Sequence, residues 1–214
     1  MFWIKLIILC ASILGIVLLF NFLTKKFTNP YTFTLTFGRK GSGKSCTMQK
    51  DLIKHYKKGW HCFADSNTDL DFVKRIDARN IHNYHFPPKS LVCIDEINLL
   101  WDNRDFKNFS PQVQKFFREQ RKHKVKVLAY SQTFDCDKKL RDLTDRLAIQ
   151  RKILRVFSFR RYYYKTVVIL SASETRDTAK MTDDYKKQSF IFGGFDFTYI
   201  PKYINCYDTN EIHN

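Results

Sequence analysis

Apolar and polar positions divide this chain into runs of distinct period. Leu6 to Leu23 is apolar throughout except for Ser12 and Asn21, and Phe2, Trp3 and Ile4 extend the run across Lys5. As a helix it is about long enough to cross a ~30 Å hydrocarbon core, and Lys25 and Lys26 close it. From Tyr31 to Phe37, aromatic or aliphatic residues alternate with threonine, the period of a strand. Beyond Lys44, apolar residues at Met48, Leu52, Ile53 and Tyr56 follow a helical spacing that stops at Gly59. After the chain break at Pro87-Pro88, Leu91-Val92-Cys93-Ile94 is a short continuous apolar run, as a buried parallel strand requires. Ser110-Pro111 marks a helix start, with Val113, Phe116, Phe117 and Gln120 on one face. Its other face carries Lys115, Arg118, Arg121 and Lys122. Val125 to Tyr130 predicts another strand, ending in Ser131-Gln132-Thr133. Ile153 to Phe159 and Tyr162 to Leu170 predict two more, joined through Phe159-Arg160-Arg161. Residues 171–188 are polar, predicting helix or loop, and Phe190 to Tyr207 is an aromatic stretch with no assigned role.

The chemistry lies where these elements join. Gly38-Arg39-Lys40-Gly41-Ser42-Gly43-Lys44-Ser45 satisfies G-x-x-x-x-G-K-[ST] at every fixed position, after a predicted strand and before a predicted helix. Glycines there let successive backbone N–H groups turn toward phosphate oxygens, and the helix directs its positive end at them. Residues Gly38 to Cys46 are thus the expected nucleotide-binding loop. Lys44 reaches the β- and γ-phosphates, and the Ser45 hydroxyl takes one position on Mg²⁺. Asp95 and Glu96 end the Leu91–Ile94 run, 51 residues after Lys44. A parallel strand delivers such carboxylates to the edge where ligands sit. Asp95 is expected to hold Mg²⁺, directly or through water, and Glu96 to orient and deprotonate the attacking water. Gln132 fits a sensor of the γ-phosphate or the water, if its strand neighbours that of Asp95. The alternative is a plain strand-end cap.

These features predict an α/β P-loop NTPase with a mostly parallel sheet, using ATP and Mg²⁺, preceded by one transmembrane helix. The boundaries are residues 1–26 for the anchor and 27–188 for the ATPase domain, with 152–170 an edge hairpin. Residues 189–214 form a tail of unassigned role. The net charge of +16 and pI near 9.6 suggest nucleic acid or an anionic membrane face as partner. From Pro111 to Lys165 there are 16 Lys or Arg against 5 Asp or Glu, a count that a merely solvated face also meets. Six cysteines show neither C-x-x-C nor metal-ligand spacing, in keeping with a reduced compartment. Cys46 and Cys93 are expected to be small buried hydrophobes. No small-x-small cleavage site follows Phe20, which favours an uncleaved anchor, and the positive-inside rule keeps the basic domain cytoplasmic.

The phosphate loop, Ile94-Asp95-Glu96, the basic segment Phe117 to His123 and Tyr130-Ser131-Gln132-Thr133 together resemble the zonula occludens toxin-like ATPases. These are relatives of the filamentous-phage assembly protein I. Asp135 to Asp145 resembles the stretch in which such proteins turn from the Gln-bearing strand into the next helix. The resemblance covers roughly Tyr31 to Lys152. It implies an inner-membrane ATPase that extrudes single-stranded phage DNA, related to FtsK- and HerA-type translocases. Its implied partners are single-stranded DNA or phage nucleoprotein, other assembly proteins and further copies of itself. Familiar members place the span after the ATPase domain, whereas here it comes first. A nucleotide-dependent membrane scaffold, or a translocase of another mobile element, satisfies the same motifs. An arginine from a neighbouring copy is expected to complete the site, with Arg118, Arg121, Arg141 and Arg146 as candidates.

Overall fold

The Phe/Leu–Thr alternation becomes β1 (Phe33–Phe37), and all five of its residues are buried because both faces are covered. In the computed structural model, residues 2–101, 109–133, 138–170, 180–190 and 192–206 are described. Phe33, Leu35 and Phe37 face α4 (Pro111–Glu119) and α5 (Lys138–Asp142), while Thr34 and Thr36 are buried on the other side. Another central strand follows the same rule. In β4 (Ser90–Ile94), Val92 and Ile94 join the α4 side, while Leu91 and Cys93 pack with Met48 and Leu52 of α2 (Lys44–Tyr56). Helices on both faces explain why these strands read as continuous apolar runs.

Strand order is β3-β2-β4-β5-β1-β6-β7-β8, with β9 also pairing β7. The strands β2 (His61–Ala64), β3 (Val73–Arg75), β4, β5 (Val125–Ser131), β1 and β6 (Arg146–Ile153) are mutually parallel. The strands β7 (Phe157–Leu170), β8 (Lys180–Lys187) and β9 (Phe195–Tyr199) add an antiparallel extension. The parallel strands begin at one edge and end at the other. α2 runs between these two poles, about 20 Å over its 13 residues.

α4 starts where Ser110-Pro111 predicts: the Ser110 side chain accepts from Val113 N. Its apolar face buries Val113, Phe116 and Phe117, and Phe117 stacks on Phe33 with centroids 4.9 Å apart. Burial of each such side chain stabilises by about 1.5–3 kcal/mol. The α4 carboxyl end leads to the pole where the strands start.

Three expectations need correction. The chain turns between β6 and β7 at Leu154 and Arg155, both left-handed (φ 48° and 58°), and not at Phe159-Arg160-Arg161. The basic pair lies within β7, and Arg160 points inward, where ion pairs replace the water a turn would supply. Within the polar 171–188 stretch, Lys180–Lys187 is a strand, because β7 offers it an unpaired edge; 171–179 lie outside the described residues. The 189–214 stretch supplies β9, hydrogen-bonded to Phe157–Arg161, so part of that stretch belongs to the sheet. Cys93 is buried but Cys46 only half so. Asp135, Cys136 and Asp137 lie outside the described residues.

α1 (Phe2–Thr24) is one continuous helix, exposed along most of its length. It is long and apolar enough to cross a membrane, a test that a signal sequence also passes. A 3₁₀ turn, Lys25–Phe27, follows it.

Candidate nucleotide site

The loop between β1 and α2 is built around two left-handed glycines, Gly41 (φ 76°) and Gly43 (φ 87°). Left-handed glycines of this kind let successive N–H groups of a loop turn toward one side. Gly43 caps α2 and has no side chain to satisfy the first turn, so the amides of Lys44, Ser45 and Cys46 have no side-chain cap. Space also demands glycine. A Cβ on Gly38 would lie 2.6 Å from Ser42 Oγ and 2.9 Å from the Gln150 carbonyl. One on Gly43 would lie 3.0 Å from Ser158 Cβ and 3.2 Å from Ile200 Cδ1. Arg39, Lys40 and Gly41 form the exposed tip, while Ser42 is buried.

Lys44 is buried, and its Nζ donates to the Gly38 carbonyl at 2.8 Å. Burial lowers its pKa, and the nearby Glu96 and Asp95 carboxylates pull it back up. An ammonium group held on its own loop, beside uncapped amides, suits the phosphates of a nucleotide.

β5 lies between β1 and β4, so Ser131-Gln132-Thr133 ends beside Asp95-Glu96. Gln132 Nε2 donates to Glu96 Oε1 at 2.8 Å. Glu96 N donates to Asp95 Oδ1 at 3.0 Å, and Glu96 itself is left-handed (φ 46°), an uncommon conformation for a residue with a Cβ. Ser131 Oγ lies 2.9 Å from Asn98 Oδ1 and 2.7 Å from the Thr133 carbonyl, which ties the β5 end to the segment after β4. The sequence-predicted residues of the loop, the Asp-Glu pair and the glutamine therefore share one pole. Ser45 and Asp95 are half-buried there, and their oxygens are hard donors of the kind that could hold Mg²⁺.

Sequence reasoning missed several residues of this pole. Asp65, just after β2, accepts from Asp95 N at 2.8 Å, and burial raises its pKa to about 7. Its signal was present: Cys62-Phe63-Ala64-Asp65 is a second apolar run ending in an acid. Arg75, Asp77, Arg79 and Tyr84 join Asp65, Asp95 and Glu96 around a cleft of about 800 Å³. Beneath the phosphate loop, Gln150 Nε2 lies 2.6 Å from Ser158 Oγ and 2.8 Å from Thr47 Oγ1, and Ser158 Oγ donates to the Ser42 carbonyl at 2.7 Å. Thr47 Oγ1 in turn donates to Thr198 Oγ1 of β9 at 3.1 Å. No local pattern marks these groups, because they come together from β6, β7, β9 and α2.

Of the four candidate arginines, none lies on a loop of this pole. Arg146 opens β6, opposite Thr34 at the start of β1, and Arg121 pairs with Asp145 at 3.0 Å near the same edge. Arg118 and Arg141 sit in the last turns of α4 and α5, which lead back to that edge.

No family model and no curated protein matches this chain. Among solved structures, the N-terminal domain of zonular occludens toxin from Neisseria meningitidis is similar at 14% identity and a TM-score of 0.51. The match covers 78% of this chain and 99% of that one. The genome packaging NTPase B204 from Sulfolobus turreted icosahedral virus 2, in complex with AMP, is similar at 14% identity and a TM-score of 0.47, over 57% and 76% of the two chains. The flagellar accessory protein FlaH from Methanocaldococcus jannaschii reaches 10% and 0.47, over 65% and 82%. The first likeness shows a shared fold, and the mostly parallel α/β sheet is consistent with a P-loop NTPase core.

Proposed function

We propose that this chain is a P-loop ATPase that couples ATP hydrolysis to the movement of DNA at a membrane, in the manner of FtsK- and HerA-type translocases. The observation that carries this is the convergence of Lys44, Asp95, Glu96 and Gln132 at one pole, with the Gln132–Glu96 hydrogen bond at 2.8 Å. In this reading Lys44 exchanges the Gly38 carbonyl for phosphate oxygens, and the amides from Gly41 to Cys46 cradle them. Mg²⁺, held by Ser45 and Asp95, neutralises charge on the phosphates when bound. Glu96 accepts the proton of the attacking water while Gln132 keeps its carboxylate oriented. Asp65 holds the Asp95 amide and so fixes the turn that presents both acids.

The basic composition supports nucleic acid as the cargo. α1 supports a single span in the inner membrane of the host cell, with the ATPase domain cytoplasmic and assembled with further copies of itself. A narrower reading is extrusion of single-stranded DNA during filamentous-phage assembly, with nucleoprotein and other phage assembly proteins as partners. The likeness that spans 99% of the zonular occludens toxin domain favours it, together with the basic helix and Ser131-Gln132-Thr133. Measuring ATP turnover of the full chain in detergent, with and without single- and double-stranded DNA, tests the proposal. Stimulation by either strand form supports a translocase, and stimulation by single strands alone supports the narrower reading. Slow turnover indifferent to DNA would point to a membrane scaffold.

A further inference from the structure

The pole opposite the phosphate loop carries a charge pattern that the nucleotide chemistry does not use. It is the edge where the parallel strands begin. Lys89 stands immediately before β4 and Lys124 immediately before β5, and both are left-handed (φ 62° and 55°). Their carbonyls accept equivalent bonds, from His61 N at 3.0 Å and Ser90 N at 3.3 Å, so the two lysines lie side by side on neighbouring strand entrances. Glycine or asparagine is the ordinary occupant of such a turn. Lysine at both, exposed, keeps charge where backbone conformation argues against it. Lys57 and Lys58, past the end of α2, and Lys122, past the end of α4, project from the same edge. Lys122 pairs with Glu119 at 3.3 Å, but Lys57, Lys58, Lys89 and Lys124 have no ion-pair partner among the described residues. The acids here are few: Glu119, Asp142 and Asp145 are already paired, and Asp71 is exposed near the β3 entrance.

The chain itself brings this edge to α1. Only residues 28–32 separate the 3₁₀ turn that follows α1 from the first residue of β1. Five extended residues reach about 18 Å at most, and β1 enters the sheet at this same edge. The ring of Tyr31, on the way in, lies 5.6 Å from that of Trp60, which stands just before β2.

We infer that this edge is a lipid-docking face: Lys26, Lys57, Lys58, Lys89, Lys122 and Lys124 engage the anionic headgroups of the leaflet from which α1 emerges. The inference rests on reading α1 as a membrane span. A tethered basic face and an anionic leaflet attract across the short link, so the domain stands upright, with its phosphate loop directed away from the bilayer. ATP and DNA then reach the site without competing with lipid.

The test uses the full chain in nanodiscs of phosphatidylcholine alone, or of phosphatidylcholine and phosphatidylglycerol in equal parts. Lysines are labelled with an amine-reactive ester and read by mass spectrometry. Lys57, Lys58, Lys89, Lys122 and Lys124 are expected to label roughly fivefold more slowly in the anionic discs. Lys40 and Lys152, at the other pole, are expected to label equally in both, and high salt is expected to erase the difference. Lys89→Gly with Lys124→Gly is expected to fold at least as stably, while Lys57 and Lys122 lose much of their protection. Equal labelling in the two lipids, by a chain that resists alkaline extraction, overturns the docking face and leaves the span intact. A chain that washes off in alkali defeats the span and the docking face together. Protection that arises in neutral discs on adding single-stranded DNA, and not with anionic lipid, makes the edge a DNA surface and overturns the proposal.

Discussion

Glu96 is held in a backbone conformation that few residues adopt. Its left-handed backbone disfavours any side chain, by about 1–2 kcal/mol, yet it turns the carboxylate toward Gln132. Glu96→Gln keeps the shape and removes the proposed base. It is expected to bind ATP normally and to turn over about 10² times more slowly or worse, measured by nucleotide binding beside single-turnover hydrolysis. Lys44→Ala is expected to lose ATP binding itself, since no other buried cation is held on the phosphate loop. His55 offers a different residue-scale test. Its Nδ1–H donates to the Asp51 carbonyl at 2.7 Å, which leaves Nε2 to accept from Lys126 Nζ at 3.1 Å. Burial, with the adjacent Lys126 charge, drives its pKa from 6.5 down to about 4. Between those values the unfolded chain binds more protons, so stability rises with pH across that window and is flat above it. His55→Gln is expected to flatten this rise by about 1–2 kcal/mol, allowing for partial exposure, as read by denaturant unfolding at pH 4.5 and pH 7. An unchanged pH slope would show that His55 titrates normally.

Elements matter here through what they brace. The antiparallel extension holds the phosphate loop from below and α2 from the side. Arg160 of β7 is buried, 2.8 Å from Asp51 of α2 and 3.0 Å from Asp196 of β9, and Lys50 reaches the same Asp196 at 2.6 Å. Burial alone would raise the Asp51 pKa, but the charge and hydrogen bond of Arg160 outweigh it and keep the carboxylate ionised. Arg160→Met therefore strands a buried carboxylate, and the expected cost is about 3–5 kcal/mol. A calorimetric or denaturant measurement that finds less than half of this would mean that the cluster contributes little. Gln150→Leu is expected to cost about 1–3 kcal/mol, because Ser158 and Thr47 lose their shared partner. It is also expected to weaken ATP binding, since the Ser42 carbonyl hangs on the same network. Loss of stability with unchanged nucleotide affinity would separate the brace from the site.

At the scale of the whole molecule, the two poles differ in chemistry. The strand ends hold the proposed nucleotide site, and the strand entrances carry the basic edge near the link to α1. α4 runs from one toward the other, with Lys115 in its middle and Lys122 just past its end. If DNA is engaged near the nucleotide pole and lipid at the other, the two lysines answer to different partners. Lys115→Glu is expected to weaken single-stranded DNA binding and to reduce the log–log salt slope by about 0.7 for every phosphate it ceases to neutralise. Lys122→Glu is expected to leave that slope unchanged. Fluorescence anisotropy across a salt series decides this, and equal effects at both positions would spread the DNA interface over the full helix.

Local patterns were enough to read the phosphate loop, the helix after it, the apolar strand ending in Asp95-Glu96 and the Ser110-Pro111 helix start. Each is encoded within a few consecutive residues by backbone freedom, side-chain period or a cap. The hairpin turn was not legible. Leu154-Arg155 lacks turn residues, and the basic pair Arg160-Arg161 resembles an exposed bend until Asp51 and Asp196 are seen beside it. The Asp65–Asp95 hydrogen bond, the Gln150–Ser158–Thr47 brace and the inclusion of Phe195–Tyr199 in the sheet join residues from 8 to 103 positions apart. Strand order decides such meetings. Hydrogen bonds between strands carry no side-chain signature, so the sequence determined the elements that carry their own period or cap, while only the tertiary structure decided which elements share an edge and made strands of Lys180–Lys187 and Phe195–Tyr199.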